Sequence, residues 1–265
     1  MPFTAHGGQR IHYTDSGGDG PVVVFSHGFF MDHEMFAPQV EELRPGYRCL
    51  SVDARGFGLT ESDGVPFTYW DLADDLIAIL DDLGVESAVF VGLSQGGFTT
   101  QRVALAHPER VRGIVLIDTD AEHYDDEAKA MYRGIRDSLL SAGWTDEFAA
   151  AMAGMLFGPD YDSSSWVQRW KQIPPARIEA AFDNLIDREE IKSRLGEIRC
   201  PALVLHGELD TSIPLEHVKD LCSRLPGCDG VRVVPGSGHT TPLENPSFVN
   251  EALRGFIVSL PERNG

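Results

Sequence analysis

The sequence predicts an α/β protein with a mostly parallel sheet flanked by helices, and three observations carry that expectation. Short uninterrupted apolar runs, at residues 22–26, 88–90, 114–117 and 203–205, read as strands covered on both faces, as in a parallel sheet. Helical spacing appears between two of them, most clearly in Tyr69, Leu72, Leu76, Ile79, Leu80 and Leu83. Where a run meets a helix-like stretch lies Gly92-Leu93-Ser94-Gln95-Gly96, a G-x-S-x-G turn that reverses a strand sharply into a helix.

Residues 10–14 alternate like an edge strand, and 16–21 form a turn cluster. The buried run 22–26 ends at His27-Gly28-Phe29-Phe30. Residues 34–43 read as a helix with Met35, Phe36, Val40 and Leu43 toward one side, and 47–52 as the next strand. The turn from Gly56 lacks the third glycine of a dinucleotide fingerprint, so no nucleotide site is read there. Thr68 and Asp71 cap the following helix, whose Asp74, Asp75, Asp81 and Asp82 are expected on a solvated face.

At the G-x-S-x-G turn, Gly92 and Gly96 remove side chains that would collide with neighbouring backbone, and a helix-like stretch begins at Phe98. The run 114–117 leads to Asp118-Thr119-Asp120. From 121 to about 194 the strand–helix alternation stops, and helix-forming stretches are divided by Gly143, Gly154, Gly158-Pro159 and Pro174-Pro175. Trp144, Trp166 and Trp170 fall here with Phe148, Met152, Met155, Leu156 and Phe157. This density predicts an apolar pocket above Ser94, with Phe30, Trp144, Met152, Met155 and Phe157 as candidate lining. The strand–loop pattern then resumes: 203–205 runs into a loop bearing Asp210, 215–225 reads as a helix, and the strand after it ends in a glycine-rich loop bearing His239. Residues 248–260 form the last expected helix and 262–265 a loose tail.

A serine hydroxyl is a poor nucleophile until a base takes its proton and an acid orients that base. Ser94, Asp210 and His239 supply the three groups in that chain order. With them stand His27-Gly28-Phe29, Asp53-Ala54-Arg55-Gly56-Phe57-Gly58, Ala106-His107-Pro108-Glu109-Arg110-Val111 and Cys200-Pro201. In these motifs, and over nearly its whole length, the chain resembles the α/β-hydrolase superfamily.

The resemblance implies an α/β-hydrolase fold, with a mostly parallel central sheet of about eight strands and a helical cap inserted after the sixth. It implies one domain over 1–265, with core 1–120 and 195–265 and cap about 121–194. It assigns the oxyanion hole to the backbone N–H groups of Phe29 and Gln95. Asp118 is the alternative acid, because some relatives carry the acid after that strand. His27 reads as a structural histidine. The form of the turn is similar to those of esterases and enol-lactonases, of cofactor-free perhydrolases, and of hydrolases that cleave carbon–carbon bonds in dienone acids. The leading expectation is hydrolysis of a small apolar ester or lactone through an acyl-enzyme on Ser94. Perhydrolysis and carbon–carbon cleavage are the alternatives, with a ligand receptor behind them. A dienone acid would want cationic pocket residues, and Arg133, Arg136, Arg169 and Arg177 lie in the expected cap, where exposed salt bridging is the commoner use. Serine in place of an aspartate at the turn argues against epoxide opening and halide displacement. No metal-ligand motif appears, so neither metal nor cofactor is expected.

A chain of 265 residues, 42% apolar and 24% charged, suffices for one sizeable core. A net charge of −19 with no basic run argues against nucleic acid and against anionic membrane surfaces. The first residues lack a signal-peptide pattern, and no run approaches the roughly 18 apolar residues of a membrane span. Cys222 and Cys228 are close enough to bridge, but without a secretion signal reduced thiols and a cytoplasmic setting are expected. Oligomeric state is left open.

Overall fold

The computed structural model describes residues 2–261. Its strands are β1 (Phe3–His6), β2 (Gln9–Asp15), β3 (Val22–Ser26), β4 (Arg48–Val52), β5 (Ala88–Leu93), β6 (Val111–Ile117), β7 (Ala202–Gly207) and β8 (Cys228–Val234). They form one sheet in the order β1-β2-β4-β3-β5-β6-β7-β8. β1 and β2 run antiparallel, as do β2 and β4, and every later pairing is parallel. This is the expected mostly parallel α/β-hydrolase sheet. Its edge differs from expectation: β1 pairs outside β2, so residues 10–14 are not the edge. Four residues are too few to show alternation, and the hairpin turns on Gly7 and Gly8, both at positive φ.

Every residue of β3, β5 and β7 is buried, because the sheet is covered on both faces. Val23 and Phe25 pack in a cluster with α1 (Ala37–Leu43) and α10 (Pro246–Ser259). Val22 and Val24 pack in a second cluster with α2 (Tyr69–Asp82), α3 (Gln95–Ala106) and α8 (Leu215–Arg224). Thr68 and Asp71 form the expected reciprocal cap of α2. Asp75, expected on the solvated face of that helix, is instead 2% exposed and takes a two-pronged bond from Arg55 at 2.7 and 2.8 Å. Helical spacing alone did not reveal that the loop after β4 brings a guanidinium beneath it.

Between β6 and β7 come α4 (Asp126–Ala142), α5 (Asp146–Leu156), α6 (Ser164–Trp170) and α7 (Glu179–Ile186), yet β6 and β7 remain paired neighbours. The insertion therefore leaves the sheet intact and packs over its carboxyl end, where the Trp170 indole donates to Phe30 O at 2.8 Å and Phe182 meets the Phe29 ring at 4.7 Å. The last short helix is α9 (Thr241–Glu244).

Cys222 and Cys228 form a disulfide, which corrects the expectation of reduced thiols. The turn from α8 into β8 brings their Cα atoms to 5.6 Å, within ordinary bridging distance. The thiol argument for a reducing compartment falls with it. Cys49 and Cys200 are free. Among the described residues no helix is long and apolar enough to cross a membrane. The tail expected at 262–265 lies outside them.

Candidate active site

Ser94 sits between β5 and α3 with φ 51° and ψ −114°, a backbone conformation that a non-glycine residue holds only under constraint. The constraint comes from both sides. A β-carbon on Gly92 would lie 2.1 Å from Gly96 O, and one on Gly96 would lie 2.0 Å from Ser26 O. The turn is tied down by Ser94 N donating to Ile117 O at 2.9 Å and by the Thr119 hydroxyl donating to Ser94 O at 2.8 Å. The other positive-φ non-glycine residues among those described, Phe30 and Asp118, lie just beyond β3 and β6 at the same end of the sheet.

Gln95 opens α3, so its N–H has no carbonyl one turn back to receive it. The loop after β3 touches this turn: a β-carbon on Gly28 would be 3.8 Å from that of Ser94. His27 accepts the Ala54 N–H on Nε2 at 3.0 Å and donates from Nδ1 to Gly28 O at 2.8 Å. Complete burial depresses its pKa, so a neutral ring fits both bonds. Behind it, Asp53 receives His12 Nδ1 at 2.7 Å, His33 N at 2.7 Å and Leu59 N at 2.8 Å. Burial pushes the Asp53 carboxyl up, but the His33 bond and the neighbouring histidines outweigh it and hold it at about 2. His12, His33 and Asp53 have donors spaced for a cation, as do Asp118, His206 and Asp210.

His239 lies on the loop between β8 and α9, and its Nδ1 is 2.8 Å from Asp210 Oδ2. Asp210 Oδ1 accepts Ser212 N at 2.7 Å and Ile213 N at 3.2 Å, which fixes the carboxylate. Burial works against the charged imidazolium, but the Asp210 charge and hydrogen bond outweigh it and raise the His239 pKa. Asp118 faces elsewhere: Oδ1 accepts Gly207 N at 2.7 Å and Oδ2 the Thr241 hydroxyl at 2.8 Å. Desolvation raises its pKa.

The histidine loop has a clamp that the sequence reading did not single out. Glu244 accepts Gly158 N and Gly238 N on Oε2, each at 2.8 Å, and Thr240 N and its hydroxyl on Oε1 at 3.0 and 2.7 Å. One side chain thereby ties the His239 loop to the segment after α5. Its place five residues past the histidine was the available signal.

Ser94 and His239 open on one cavity of about 50 Å³. Phe30, Met152 and Met155 line it, with Phe29. Trp144 and Phe157, expected there, stand outside: Trp144 packs on Phe30 at 5.2 Å and donates to Ile173 O, while Phe157 stacks on Tyr161 and Trp170. Their rings build the walls behind the lining. In their stead come Phe98, Tyr124, Tyr132, Phe182 and Leu185, from the elbow helix and from α4 and α7 with the loop before α4. Among the lining residues His239 is the one with a titratable nitrogen, and no guanidinium or ammonium reaches the cavity. Arg136 pairs with Asp183, Arg133 with Asp187 and Arg169 with Asp32, whereas Arg177 donates to Gly58 O and Thr60 O rather than to a carboxylate.

The family model of the alpha/beta hydrolase fold matches residues 21–246. The chain belongs to the α/β-hydrolase family. This hydrolase is 30% identical to a thermophilic esterase from Thermogutta terrifontis, whose structure superposes with a TM-score of 0.86 over 97% of this chain and 96% of that one. It is 25% identical over 247 residues to 3-oxoadipate enol-lactonase 1 of Acinetobacter baylyi, covering 91% of this chain and 90% of the relative. It is 29% identical over 277 residues to a 2-hydroxy-6-oxononadienedioate/2-hydroxy-6-oxononatrienedioate hydrolase of Paraburkholderia phymatum, covering 94% and 91%. These relatives are hydrolases of small molecules.

Proposed function

We propose that this hydrolase cleaves small, uncharged carboxylic esters or lactones through an acyl-enzyme on Ser94. The observation that carries the reading is the hydrogen-bonded His239–Asp210 pair opening, with a serine on a strained elbow, into an apolar cavity. In this mechanism His239 removes the Ser94 proton as the oxygen attacks the carbonyl, and the backbone N–H groups of Phe29 and Gln95 receive the developing oxyanion. The imidazolium, stabilised by Asp210, gives its proton to the leaving alkoxide. A water activated by the same histidine then releases the acid. The expected cap, 121–194, excludes bulk water and supplies the acyl pocket.

Two features narrow the substrate. A lining without a cation supports an uncharged acyl group over the carboxylates of dienone acids, since a buried carboxylate needs a paired charge. A cavity of about 50 Å³ supports short acyl chains, because drug-sized ligands occupy roughly 300 Å³ or more.

The test is steady-state hydrolysis of p-nitrophenyl esters of increasing acyl length by the wild type, Ser94→Ala and His239→Ala. Turnover highest on the shortest acyl groups and lost in both variants is expected. Wild-type turnover no greater than that of folded Ser94→Ala on every ester overturns the reading.

A further inference from the structure

Behind one wall of the Ser94 cavity lies a second opening, of about 380 Å³, at the protein surface. Three chain segments separate the two: the end of α5, the loop bearing Asp210 and the loop bearing His239. Each gives one residue to the cavity and its chain neighbour to the opening, Leu156 and Phe157, Ser212 and Thr211, His239 and Gly238. Among the described residues Met155 alone lines both. It is half-buried, whereas Met152 and Leu156 beside it are buried.

The backbone of this partition is tied at several points. The Ser212 hydroxyl donates to Met155 O at 2.9 Å, and His239 N donates to Leu156 O at 3.1 Å. A β-carbon on Gly238 would lie 2.5 Å from Gly158 N, so the histidine loop and the segment after α5 touch backbone to backbone. The part of the partition free to move is the Met155 side chain, an unbranched thioether with three rotatable bonds. The chain beside it is uncrowded, since a β-carbon on Gly154 would meet nothing within 4 Å.

Acyl transfer needs more room than the cavity offers. About 50 Å³ is too small for an acyl group and an alcohol together. The leaving oxygen takes its proton from His239, so the alcohol lies on the histidine side of Ser94, where the partition stands. No carboxylate, ammonium or guanidinium lines the outer opening. Phe157 and Tyr161, whose rings stack at 4.9 Å with their planes 10° apart, give it an aromatic wall.

We infer that the outer opening is the leaving-group subsite, that it takes an uncharged aromatic alcohol, and that Met155 sets how large that alcohol can be. The inference rests on the acyl-enzyme reading of Ser94. As the tetrahedral intermediate collapses, the carbon–oxygen bond breaks with its electron pair passing to the alkoxide, and the His239 imidazolium protonates that oxygen. The neutral alcohol then lies past Met155 while the acyl group stays on Ser94. An uncharged product needs no paired charge, and the lining supplies none.

The experiment compares kcat/KM, which reports the step that expels the alcohol, on three esters: phenyl acetate, 2-naphthyl acetate with a larger leaving group, and phenyl butyrate with a longer acyl chain. Ratios between substrates are read within each variant, so a partly folded preparation does not distort them. Met155→Ala is expected to raise the naphthyl-to-phenyl ratio about tenfold. Leu209 is 44% exposed and lines the outer opening without lining the Ser94 cavity. Leu209→Trp is expected to lower the same ratio, to cancel the gain in the double variant with Met155→Ala, and to leave the butyrate-to-acetate ratio within about twofold. A naphthyl-to-phenyl ratio unmoved by Met155→Ala, or a gain kept in the double variant, overturns the inference. So does a butyrate-to-acetate ratio that falls in Leu209→Trp, which would give the opening to the acyl chain. Wild-type turnover of phenyl acetate no greater than that of folded Ser94→Ala overturns the acyl-enzyme reading and the subsite with it, whereas Ser94-dependent turnover with unmoved ratios overturns the subsite alone.

Discussion

His239 Nδ1 meets Asp210 Oδ2 at 2.8 Å, whereas Asp118, a second carboxylate buried at this end of the sheet, spends its oxygens on Gly207 N and Thr241. The two aspartates should therefore fail differently when neutralised. Asp210→Asn is expected to lower kcat by about 10,000-fold, because an amide at that place favours the wrong imidazole tautomer. Asp118→Asn should leave kcat within about tenfold and cost about 1–3 kcal/mol of stability, since it disturbs two buried hydrogen bonds. Ester kinetics beside denaturant unfolding separate these outcomes.

The same pair sets a pH dependence. His239 is a base only when neutral, and Asp210 raises its pKa despite burial. kcat/KM is therefore expected to rise with pH through an apparent pKa above the ordinary histidine value of about 6.5. In Asp210→Asn burial is no longer opposed by that charge, so the midpoint should move down. The linked stability has a fixed sign: a raised histidine stabilises the fold fully below its unfolded pKa and ceases to do so as pH rises through the folded one. Wild-type stability should thus fall modestly between about pH 6.5 and the midpoint seen in the rate profile and level off beyond it, and a rate midpoint below about 6 would contradict the assignment.

Gln95 tests whether the first residue of α3 acts through its backbone. Its side chain is 3% exposed and Nε2 has no partner, so the amide does nothing visible there. Gln95→Met keeps the length and removes the unpartnered donor. It is expected to hold kcat within about threefold and to raise stability by up to about 1 kcal/mol. A loss of about 100-fold in kcat would instead assign the side chain to the oxyanion.

The parts of this site that were legible in the sequence are those where local rules act alone. The elbow needs glycines at 92 and 96, and buried parallel strands must be apolar on both faces, so Ser94 and the strands beside it could be read directly. Asp210 and Asp118 could not be ranked, because both follow buried strands and the choice depends on which carboxylate the β8 loop brings its histidine against. Asp75 and Cys222 were misjudged for a related reason: their partners, Arg55 and Cys228, are set by packing and by a turn that periodicity does not describe. The pocket was half legible. Aromatic density located it, but separating Met152, which lines it, from Trp144, which backs it, requires knowing how α5 is rotated against Phe30.

The disulfide offers a test of stability that leaves the chemistry untouched. It closes a loop with a sequence separation of 6 between the end of α8 and the start of β8, and neither cysteine lines the Ser94 cavity. Chain-entropy reasoning gives about 2 kcal/mol for so short a loop. Cys222→Ser/Cys228→Ser is expected to lose about that much in urea unfolding while kcat stays the same. A wild-type protein insensitive to reductant in the same assay would show that the bridge contributes nothing measurable.

Glycine requirements can be separated from glycine preferences within this one chain. A β-carbon on Gly96 would sit 2.0 Å from Ser26 O and 2.9 Å from His27 O, both backbone atoms of β3 and its loop that have no rotamer to escape by. Gly96→Ala must therefore push the elbow off the sheet, which is expected to cost at least about 3 kcal/mol or to abolish soluble expression. Any folded fraction should have lost most of its turnover, because Ser94 moves with the turn. Gly134 is the opposite case, in the interior of α4 with nothing within 4 Å of its added β-carbon. Gly134→Ala is expected to stabilise by about 0.5–1 kcal/mol, through helix propensity and a less disordered unfolded chain. Thermal unfolding of the two variants side by side checks both signs at once, and a well-folded, fully active Gly96→Ala would mean that the elbow tolerates a side chain its backbone contacts leave no room for.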